Sequence, residues 1–243
     1  MRVAIVSDIH ANRQAFEAVL DEVSAGSFDA LWCLGDVVGY GADPVACLAL
    51  AREHADICLA GNHDLGVTGA ISTADFSEAA RRAADWTRGV LSAEELDYLG
   101  SLATADEEQV VSLYHASPRD PVWEYVSSPL QAALAFEVQP RRISVVGHTH
   151  VALAFHRFDG EDVTGETHRA GDRLEVDRGH WLLNPGSVGQ PRDGDPRAAW
   201  LELDTAAWTA IYRRTEYDIE GAAWAIRAAR LPEMLAERLS RGQ

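Results

Sequence analysis

Strand-like and helix-like stretches alternate along the first 150 residues, and this alternation constrains the fold more than any other feature of the sequence. Runs of β-branched and aliphatic residues such as RVAIVS (2–7) and ALWCLG (30–35) are typical of strands buried on both faces. Each is followed by a helical pattern that begins with a capping residue, as in NRQAFEAVLDEVSAG (12–26) and DPVACLALAREH (43–54). This strand-helix-strand order predicts a layered α/β fold.

The pattern changes after residue 150. Short strand-like runs joined by Gly, Asp and Pro turns follow one another there, namely VALAFHRF, DRLEV, HWLLNPG, RAAWLELD and AWTAIYRRTEY. They favour a mostly antiparallel second sheet that packs on the first. The tail, about 218–240, is helical and broken at Pro232, and we expect it to cover a sheet face, with a dimer contact as the alternative. No linker or repeat interrupts the chain, so residues 1–243 are predicted to form a single domain.

The excess of acidic over basic residues excludes some classes of binding partner. The chain has 38 acidic and 21 basic residues, which give a formal net charge of −17. Such a surface repels nucleic-acid backbones and anionic membranes, so neither duplex nucleic acid nor a membrane is expected as a partner. The first apolar run is too short for a signal peptide, and the three cysteines lack CxxC spacing, which predicts a soluble cytoplasmic protein with reduced thiols. The oligomeric state stays open.

Polar side chains gather where five of the predicted strands end. They are Asp8, His10, Asp36, Asn62, His63, Asp64, His115, His148 and His150. Because ligand sites in α/β sheets are built at the carboxyl ends of the strands, we expect these side chains to converge. Imidazole, carboxylate and amide groups without a thiolate suit Mn, Fe, Zn or Ni. Seven possible donors exceed the needs of one tetrahedral ion, so two metal ions are predicted, with a carboxylate able to bridge them.

This choice of donors also indicates a reaction. Two dications bring four positive charges, and Asp8 and Asp36 return only two negative charges, so the centre keeps a positive charge. A positive centre attracts a phosphate group and acidifies a bridging water. The donors therefore predict hydrolysis of an anionic ester.

Five short blocks carry a resemblance to a known family. They are SDIH, LGDVVGYG, AGNHD, YHAS and GHTH, in this order, and they span Asp8 to His150. Together they resemble the blocks of the calcineurin-like metallophosphoesterase superfamily. The stretches GDVVGYG and NPGSVGQPRDGDPRAAW resemble its small bacterial and archaeal phosphodiesterase branch in particular. The resemblance implies an α/β fold in four layers, αββα, in which a two-sheet β-sandwich is flanked by helices.

The resemblance also implies a role for each residue of the blocks. Asp8, His10 and His150 would hold one metal ion and Asn62, His115 and His148 the other, with Asp36 bridging. Attack on phosphorus would be in line, by a metal-bridging hydroxide. His63 would donate a proton to the leaving alkoxide or stabilise the transition state, and a hydrogen bond from its ring N–H to the Asp64 carboxylate would orient His63 and raise its pKa. Manganese is the favoured metal, with iron, zinc, nickel or cobalt as alternatives.

Two departures from the family pattern bear on the substrate. Ala116 stands where the family usually has glycine, and the second block continues Val37-Val38-Gly39-Tyr40. Ser/Thr protein phosphatases and symmetrical dinucleoside tetraphosphatases carry an arginine in that block. We therefore predict a phosphodiesterase that acts on small or nucleotide-type substrates. The alternatives are a phosphomonoesterase or dinucleoside polyphosphate hydrolase of the same fold, and a non-catalytic metal-binding scaffold for protein interactions.

Three loop features have two interpretations each. Arg119 in SPRD and Arg192 in QPRD follow prolines beside predicted site strands, so either guanidinium group could bind a substrate phosphate. The simpler interpretation is an ion pair with the adjacent Asp120 or Asp193. The stretch NPGS (184–187) is most simply a turn after a strand, and its alternative role is to support the site.

Overall fold

The computed structural model describes all 243 residues, with twelve strands and eight α-helices. The strands are β1 (Arg2–Val6), β2 (Ala30–Cys33), β3 (Ile57–Cys58), β4 (Ala105–Asp106), β5 (Ser112–Tyr114), β6 (Ile143–Val145), β7 (Ala152–Arg157), β8 (Thr164–Thr167), β9 (Arg173–Glu175), β10 (His180–Pro185), β11 (Ala198–Asp204) and β12 (Thr209–Thr215). The helices are α1 (Arg13–Ala25), α2 (Pro44–His54), α3 (Asn62–Thr68), α4 (Glu78–Val90), α5 (Ala93–Ser101), α6 (Pro129–Phe136), α7 (Ile219–Ala228) and α8 (Glu233–Glu237). A 3-10 turn follows at Leu239–Arg241.

The strands form two six-stranded mixed sheets, ordered β3-β2-β1-β11-β12-β9 and β4-β5-β6-β10-β7-β8. Strands β1, β2 and β3 are parallel, as are β5, β6 and β10. The predicted two-sheet fold is confirmed, but the prediction that the strands after residue 150 form the second sheet is wrong. The strands after residue 150 form no sheet of their own. β11 pairs with β1, with Leu201 opposite Ile5, and β10 pairs with β6, with Trp181 opposite Ile143.

Strand β1 shows why the sheets stack in layers. Val3 and Ile5 belong to the apolar cluster between the two sheets, whereas Ala4 and Val6 belong to the cluster beneath the helices. Successive side chains of a strand point to opposite faces, so a strand covered on both faces needs the continuous apolar run that RVAIV provides. On the outer face of the second sheet, Phe136 of α6 belongs to a third cluster. The layers are therefore helix, sheet, sheet and helix.

The helix starts agree in part with their predicted caps. The side chain of Asn12 accepts from the N–H of Ala15 at the start of α1, and Ser92 and Glu95 form the expected capping box of α5. Asp43 occupies the N-cap position of α2 but makes no side-chain capping hydrogen bond. Helix α3 has no counterpart among the predicted elements, because its start lies inside the AGNHD block.

The C-terminal helices pack on other helices and not on a sheet face, contrary to the expectation. Ala222 and Ala223 of α7 and Leu235 of α8 form an apolar cluster with Ala79 and Ala83 of α4. Helix α7 also lies against α1. The longest helices of the chain have 13 residues, and none is both long and apolar enough to cross a membrane.

Candidate metal centre

The loops after β1, β2, β3, β5 and β6 bring the seven predicted donors to one edge of the sandwich. All seven side chains are 0–4% exposed. Ligand atoms lying within 4.8 Å of one another define two groups, of which one is Asp8, His10, Asp36 and His150 and the other is Asp36, His115 and His148. Asn62 adjoins the second group, because its Oδ1 lies 3.2 Å from Nε2 of His115. Asp36 is common to both groups.

The carboxylate of Asp36 lies between the two groups. Its Oδ2 is 3.6 Å from Nε2 of His10 and 3.6 Å from Nε2 of His115. Its Oδ1 accepts the main-chain N–H of His63 at 2.8 Å, whereas Oδ2 is buried and has no hydrogen-bond partner. The main chain thus fixes Oδ1 of Asp36, and Oδ2 is free to bind a cation.

Asp8 repeats this arrangement in the first group. Its Oδ2 accepts the main-chain N–H of His148 at 3.0 Å. Its Oδ1 has no hydrogen-bond partner and lies 3.3 Å from Nε2 of His150 and 3.8 Å from Nε2 of His10. A buried carboxylate oxygen without a donor is costly in free energy, and a bound cation removes that cost.

Main-chain carbonyls fix the tautomers of three histidines. Nδ1 of His10, His115 and His150 lies 3.2, 3.0 and 2.7 Å from the carbonyl oxygens of Val38, Leu34 and Gln190, respectively. A carbonyl only accepts, so Nδ1 carries the proton and Nε2 presents a lone pair to the cluster. The Nε2 atoms of His10 and His150 are 3.1 Å apart. Two facing lone pairs repel unless a cation binds both.

Burial sets the protonation of the donors. It raises the pKa of Asp8 to about 7 and the pKa of Asp36 well above its usual range. It also lowers the pKa of His148 to about 2, and the pKa values of His10 and His150 fall well below the usual range for the same reason. Neutral imidazoles are the form that binds metal, and buried carboxylates gain most from a nearby dication. These residues therefore fit divalent cations.

The donor loops have a strained backbone. Five donors have φ in the left-handed region, which are Asp8 (54°), His10 (49°), Asp36 (52°), His148 (66°) and His150 (60°). Each such residue costs about 1–3 kcal/mol and persists only where its surroundings hold it. Here the loops hold each other, because the N–H of Asp8 donates to Gly35 O at 3.0 Å and the N–H of His10 donates to Asp36 O at 2.9 Å.

The NPGS stretch forms hydrogen bonds to the loops that carry the donors. Nδ2 of Asn184 donates to Gly147 O at 2.6 Å and to Oγ1 of Thr149 at 3.0 Å. Oγ of Ser187 donates to Asp8 O at 2.7 Å. NPGS therefore fixes the loops on which Asp8, His148 and His150 lie, a role that its sequence did not distinguish from that of a simple turn.

Comparison with known proteins identifies the family. A sequence model of the calcineurin-like phosphoesterase superfamily domain matches residues 1–206. The chain belongs to this superfamily. It is 37% identical to an uncharacterized protein of Methanocaldococcus jannaschii, over 99% of this chain and 98% of that protein.

Solved structures agree with this membership. The crystal structure of a metallophosphoesterase from Sphaerobacter thermophilus matches with a TM-score of 0.90 and 41% identity, over 100% of this chain and 99% of that chain. A hypothetical protein from Pyrococcus horikoshii matches with a TM-score of 0.79 over 100% of this chain and 98% of that chain, and at 16% identity it shows the fold alone. The predicted family and four-layer fold are confirmed, and the chain is a phosphoesterase.

In this phosphoesterase, His63 and Asp64 do not form the expected hydrogen bond. The Asp64 carboxylate accepts the main-chain N–H groups of Val37, Val38 and Gly61 at 3.3, 3.0 and 2.9 Å. Nδ1 of His63 is buried without a partner. Both residues lie in the first turn of α3, where adjacent side chains do not face each other. The expectation that Asp64 orients His63 is wrong, and Asp64 instead ties α3 to the loop after β2.

Aromatic packing positions the His63 ring. Its centroid lies 4.3 Å from the ring of Tyr40, 4.7 Å from Phe76 and 4.9 Å from His10. Burial, with a contribution from the charge of Arg192, lowers the pKa of His63 to about 3, whereas the sequence predicted a raised pKa. The ring is therefore neutral and carries its single proton on either Nδ1 or Nε2. Because Nδ1 is buried without a partner, we place the proton on Nε2, so that no N–H group is buried unpaired. This form donates a hydrogen bond from Nε2.

The two candidate arginines have different surroundings. Arg119 forms an ion pair with Glu124 at 2.8 Å, so its partner is not the predicted Asp120. Arg192 forms no ion pair with Asp193, because Asp193 pairs with Arg214. Arg119 is therefore neutralised within its loop, whereas Arg192 has no carboxylate partner.

Arg192 lies against the second block of the phosphoesterase. Its Nη2 donates to Oε1 of Gln190 at 2.9 Å and approaches the Tyr40 hydroxyl at 3.4 Å. Its Nε is buried without a partner. The second block contains no arginine of its own. Arg192, 152 residues after Tyr40 in the sequence, places a guanidinium group beside this block in the folded chain.

Proposed function

We propose that this phosphoesterase is a dinuclear metal-dependent phosphodiesterase that acts on small or nucleotide-type esters. The observation that carries the proposal is the free Oδ2 of Asp36, which lies 3.6 Å from a histidine Nε2 of each donor group. A carboxylate in this position suits a bridge between two cations. Asp8, His10 and His150 would complete the first site, and Asn62, His115 and His148 the second.

Two divalent cations, when bound, supply the positive charge that attracts phosphate and lowers the pKa of water at the centre. The protein prepares this environment through its main chain. N–H groups hold one oxygen of Asp8 and of Asp36, so that the other oxygen faces the cluster. Because the remaining donors are neutral, the two carboxylates cancel only part of the cation charge. Manganese is the metal we favour, with iron, zinc, nickel or cobalt as alternatives.

Two residues beside the cluster would act on the substrate. His63, held by packing on Tyr40 and Phe76, would donate a hydrogen bond from Nε2 to the leaving oxygen and stabilise the charge that develops there. Arg192, which lacks a carboxylate partner, would bind the non-bridging oxygens of the phosphate. A pocket of about 480 Å³ continues beyond Asn62 and His63, which leaves room for a second ester group and so favours a diester.

The test is a comparison of esters and metals. Metal-stripped protein is reloaded separately with Mn, Ni, Co, Zn or Mg and assayed on bis(p-nitrophenyl) phosphate and on p-nitrophenyl phosphate, with the bound metal measured in parallel. We expect two metal ions per chain and a higher kcat/KM for the diester. A higher value for the monoester would reverse the assigned preference. Stoichiometric metal without hydrolysis under any ion would favour the non-catalytic scaffold.

A further inference from the structure

The pocket of about 480 Å³ beside the metal centre, which we call the side cleft, has a mixed aromatic and cationic lining. Asn62 and His63 line it where it meets the proposed donors, and its lining includes the rings of Phe76, Trp123 and Tyr125 and the guanidinium groups of Arg192 and Arg238. Its volume lies within the range of small-molecule sites, about 300–1,000 Å³. The C-terminal helices contribute Met234 of α8 and Arg238, which follows α8, to this cleft.

Two positive charges share one neutral acceptor in the side cleft. Oε1 of Gln190 accepts from Nη2 of Arg192 at 2.9 Å and from Nη1 of Arg238 at 3.2 Å. Neither arginine forms an ion pair with an Asp or Glu side chain, although the chain carries a net charge of −17. The shared acceptor is an amide and not a carboxylate, and Nε of Arg238 also donates to the main-chain oxygen of Gln243 at 2.7 Å. The remaining N–H groups of the two guanidinium groups can therefore bind an anion. A single phosphate at the metal centre does not require two guanidinium groups.

The aromatic rings lie where a planar group could stack. The rings of Phe76 and Trp123 meet edge to face with centroids 5.9 Å apart. Tyr125 lies 3.9 Å from the ring of His148 and is 47% exposed, which is high for an aromatic residue beside a buried cluster. Asp75 is the one carboxylate in the lining. Aromatic faces beside cationic groups are the surface that nucleotides bind, because bases stack on rings and phosphates pair with arginine.

We propose that the side cleft binds the leaving nucleotide of a substrate that carries a second phosphate, with that phosphate at Arg238 and its base against the Phe76, Trp123 and Tyr125 rings. The scissile phosphate lies at the metal centre and Arg192. This inference rests on the proposed phosphodiesterase function. A linear dinucleotide with a 5′-phosphate has this chemistry, and so does a dinucleoside polyphosphate.

The simplest substrate of this class is the dinucleotide pApA. Hydrolysis adds one water across the internal phosphorus–O3′ bond. The water oxygen bonds to phosphorus, O3′ leaves and takes up a proton, and the products are two molecules of 5′-AMP. The matched dinucleotide ApA lacks only the 5′-phosphate and yields adenosine and 5′-AMP.

The decisive measurement is kcat/KM for pApA relative to ApA with the manganese-loaded enzyme. We expect wild type to prefer pApA about tenfold or more, which corresponds to one charge-assisted phosphate contact. Arg238→Gln should abolish most of this preference. Arg227→Gln is the matched control, because Arg227 lies on α7 and pairs with Glu233 outside the cleft, and it should retain the preference. An equal preference in Arg238→Gln and wild type would overturn the proposal.

A binding measurement separates this inference from the proposed function. Calorimetry of metal-free protein with 5′-AMP should show binding that Arg238→Gln and Trp123→Leu each weaken about tenfold. If bis(p-nitrophenyl) phosphate is hydrolysed but pApA is not preferred over ApA, the side-cleft proposal fails and the phosphodiesterase stands. If no ester is hydrolysed but 5′-AMP binds through Arg238, the proposed function fails and the nucleotide site stands. Faster, Arg238-dependent cleavage of diadenosine tetraphosphate would support the cleft and identify the polyphosphate as the source of the second phosphate.

Discussion

The main-chain oxygen of Gln190 accepts a hydrogen bond from Nδ1 of His150 at 2.7 Å, and this contact connects the arginine pair to the metal centre. The side-chain oxygen of the same residue holds Arg192 and Arg238. Gln190 is 2% exposed, so water does not replace these contacts. Gln190 therefore fixes His150, a proposed metal ligand, through its main chain and the guanidinium groups of Arg192 and Arg238 through its side chain, and a substitution can separate the two roles.

Gln190→Glu should keep the metal ions and weaken substrate binding. The carbonyl that orients His150 is retained, whereas the new carboxylate pairs with Arg192 and Arg238 and cancels one of their two charges. We expect KM for pApA to rise about tenfold with metal content unchanged. Steady-state kinetics and metal analysis on the same preparation test this, and an unchanged KM would contradict the role of the arginine pair.

Asp36→Asn should lose at least one metal ion. Oδ1 of Asp36 is occupied by the N–H of His63, and an amide nitrogen in place of Oδ2 cannot bind a cation. The metal-free variant should melt no lower than metal-free wild type, because burial disfavours the charged form of Asp36 and raises its pKa, whereas the amide is neutral at every pH. Metal analysis and melting curves with and without EDTA give both readouts. Asp21→Asn, on the exposed side of α1, is the control, and an Asp36→Asn variant with two bound ions would exclude the bridge.

His63→Ala should retain both metal ions and lose turnover. The ring is proposed to donate to the substrate and is not one of the donors grouped around Asp36, so we expect kcat on bis(p-nitrophenyl) phosphate to fall about 100-fold or more. His54→Ala removes an exposed imidazole and should change nothing. Near-normal kcat in fully metal-loaded His63→Ala would remove His63 from the reaction.

Asp64→Asn should lower stability and metal affinity together. The N–H groups of Val37 and Val38 that bind this carboxylate join α3 to the loop carrying Asp36, and that of Gly61 caps α3. An amide side chain has one oxygen and can accept only part of these three hydrogen bonds. We expect the free energy of unfolding in denaturant to fall by about 1–3 kcal/mol. If Asp64→Asn changed only kcat, with normal stability and metal content, Asp64 would act on His63 after all.

Gly61→Ala should disrupt the centre, whereas Gly89→Ala should not. A Cβ on Gly61 would lie 2.0 Å from Oδ1 of Asp36, so the Asp36 carboxylate or the loop must move. A Cβ on Gly89, an exposed position in α4, meets nothing within 4 Å. We expect Gly61→Ala to lose metal and Gly89→Ala to gain about 0.5–1 kcal/mol of stability from its helical position. Comparable metal content in the two variants would contradict the close packing at Gly61.

The neighbours of the site residues were harder to predict than the donor set. Adjacency in the sequence suggested that Asp64 contacts His63, but α3 begins at Asn62 and turns the two side chains apart. Arg192 was predicted as a phosphate contact or as the partner of Asp193, and only the fold shows that Arg214 takes that partner. Nothing in the sequence around Arg238 distinguished it from other helix-surface arginines.

The sequence by itself determined the layered fold, the superfamily and the convergence of the predicted donor side chains, because strand ends are local features and parallel strands deliver their ends to one edge. Asp8, Asp36 and His115 could be placed there without knowing what surrounds them. Only the tertiary structure decided which of those side chains lie within reach of one another and which charged groups lack a partner. Whether a charged side chain has a partner depends on groups far apart in the chain. Arg192 and Arg238, for example, both donate to the amide oxygen of Gln190. That arrangement appears only when the loop after β10 and the end of α8 pack together.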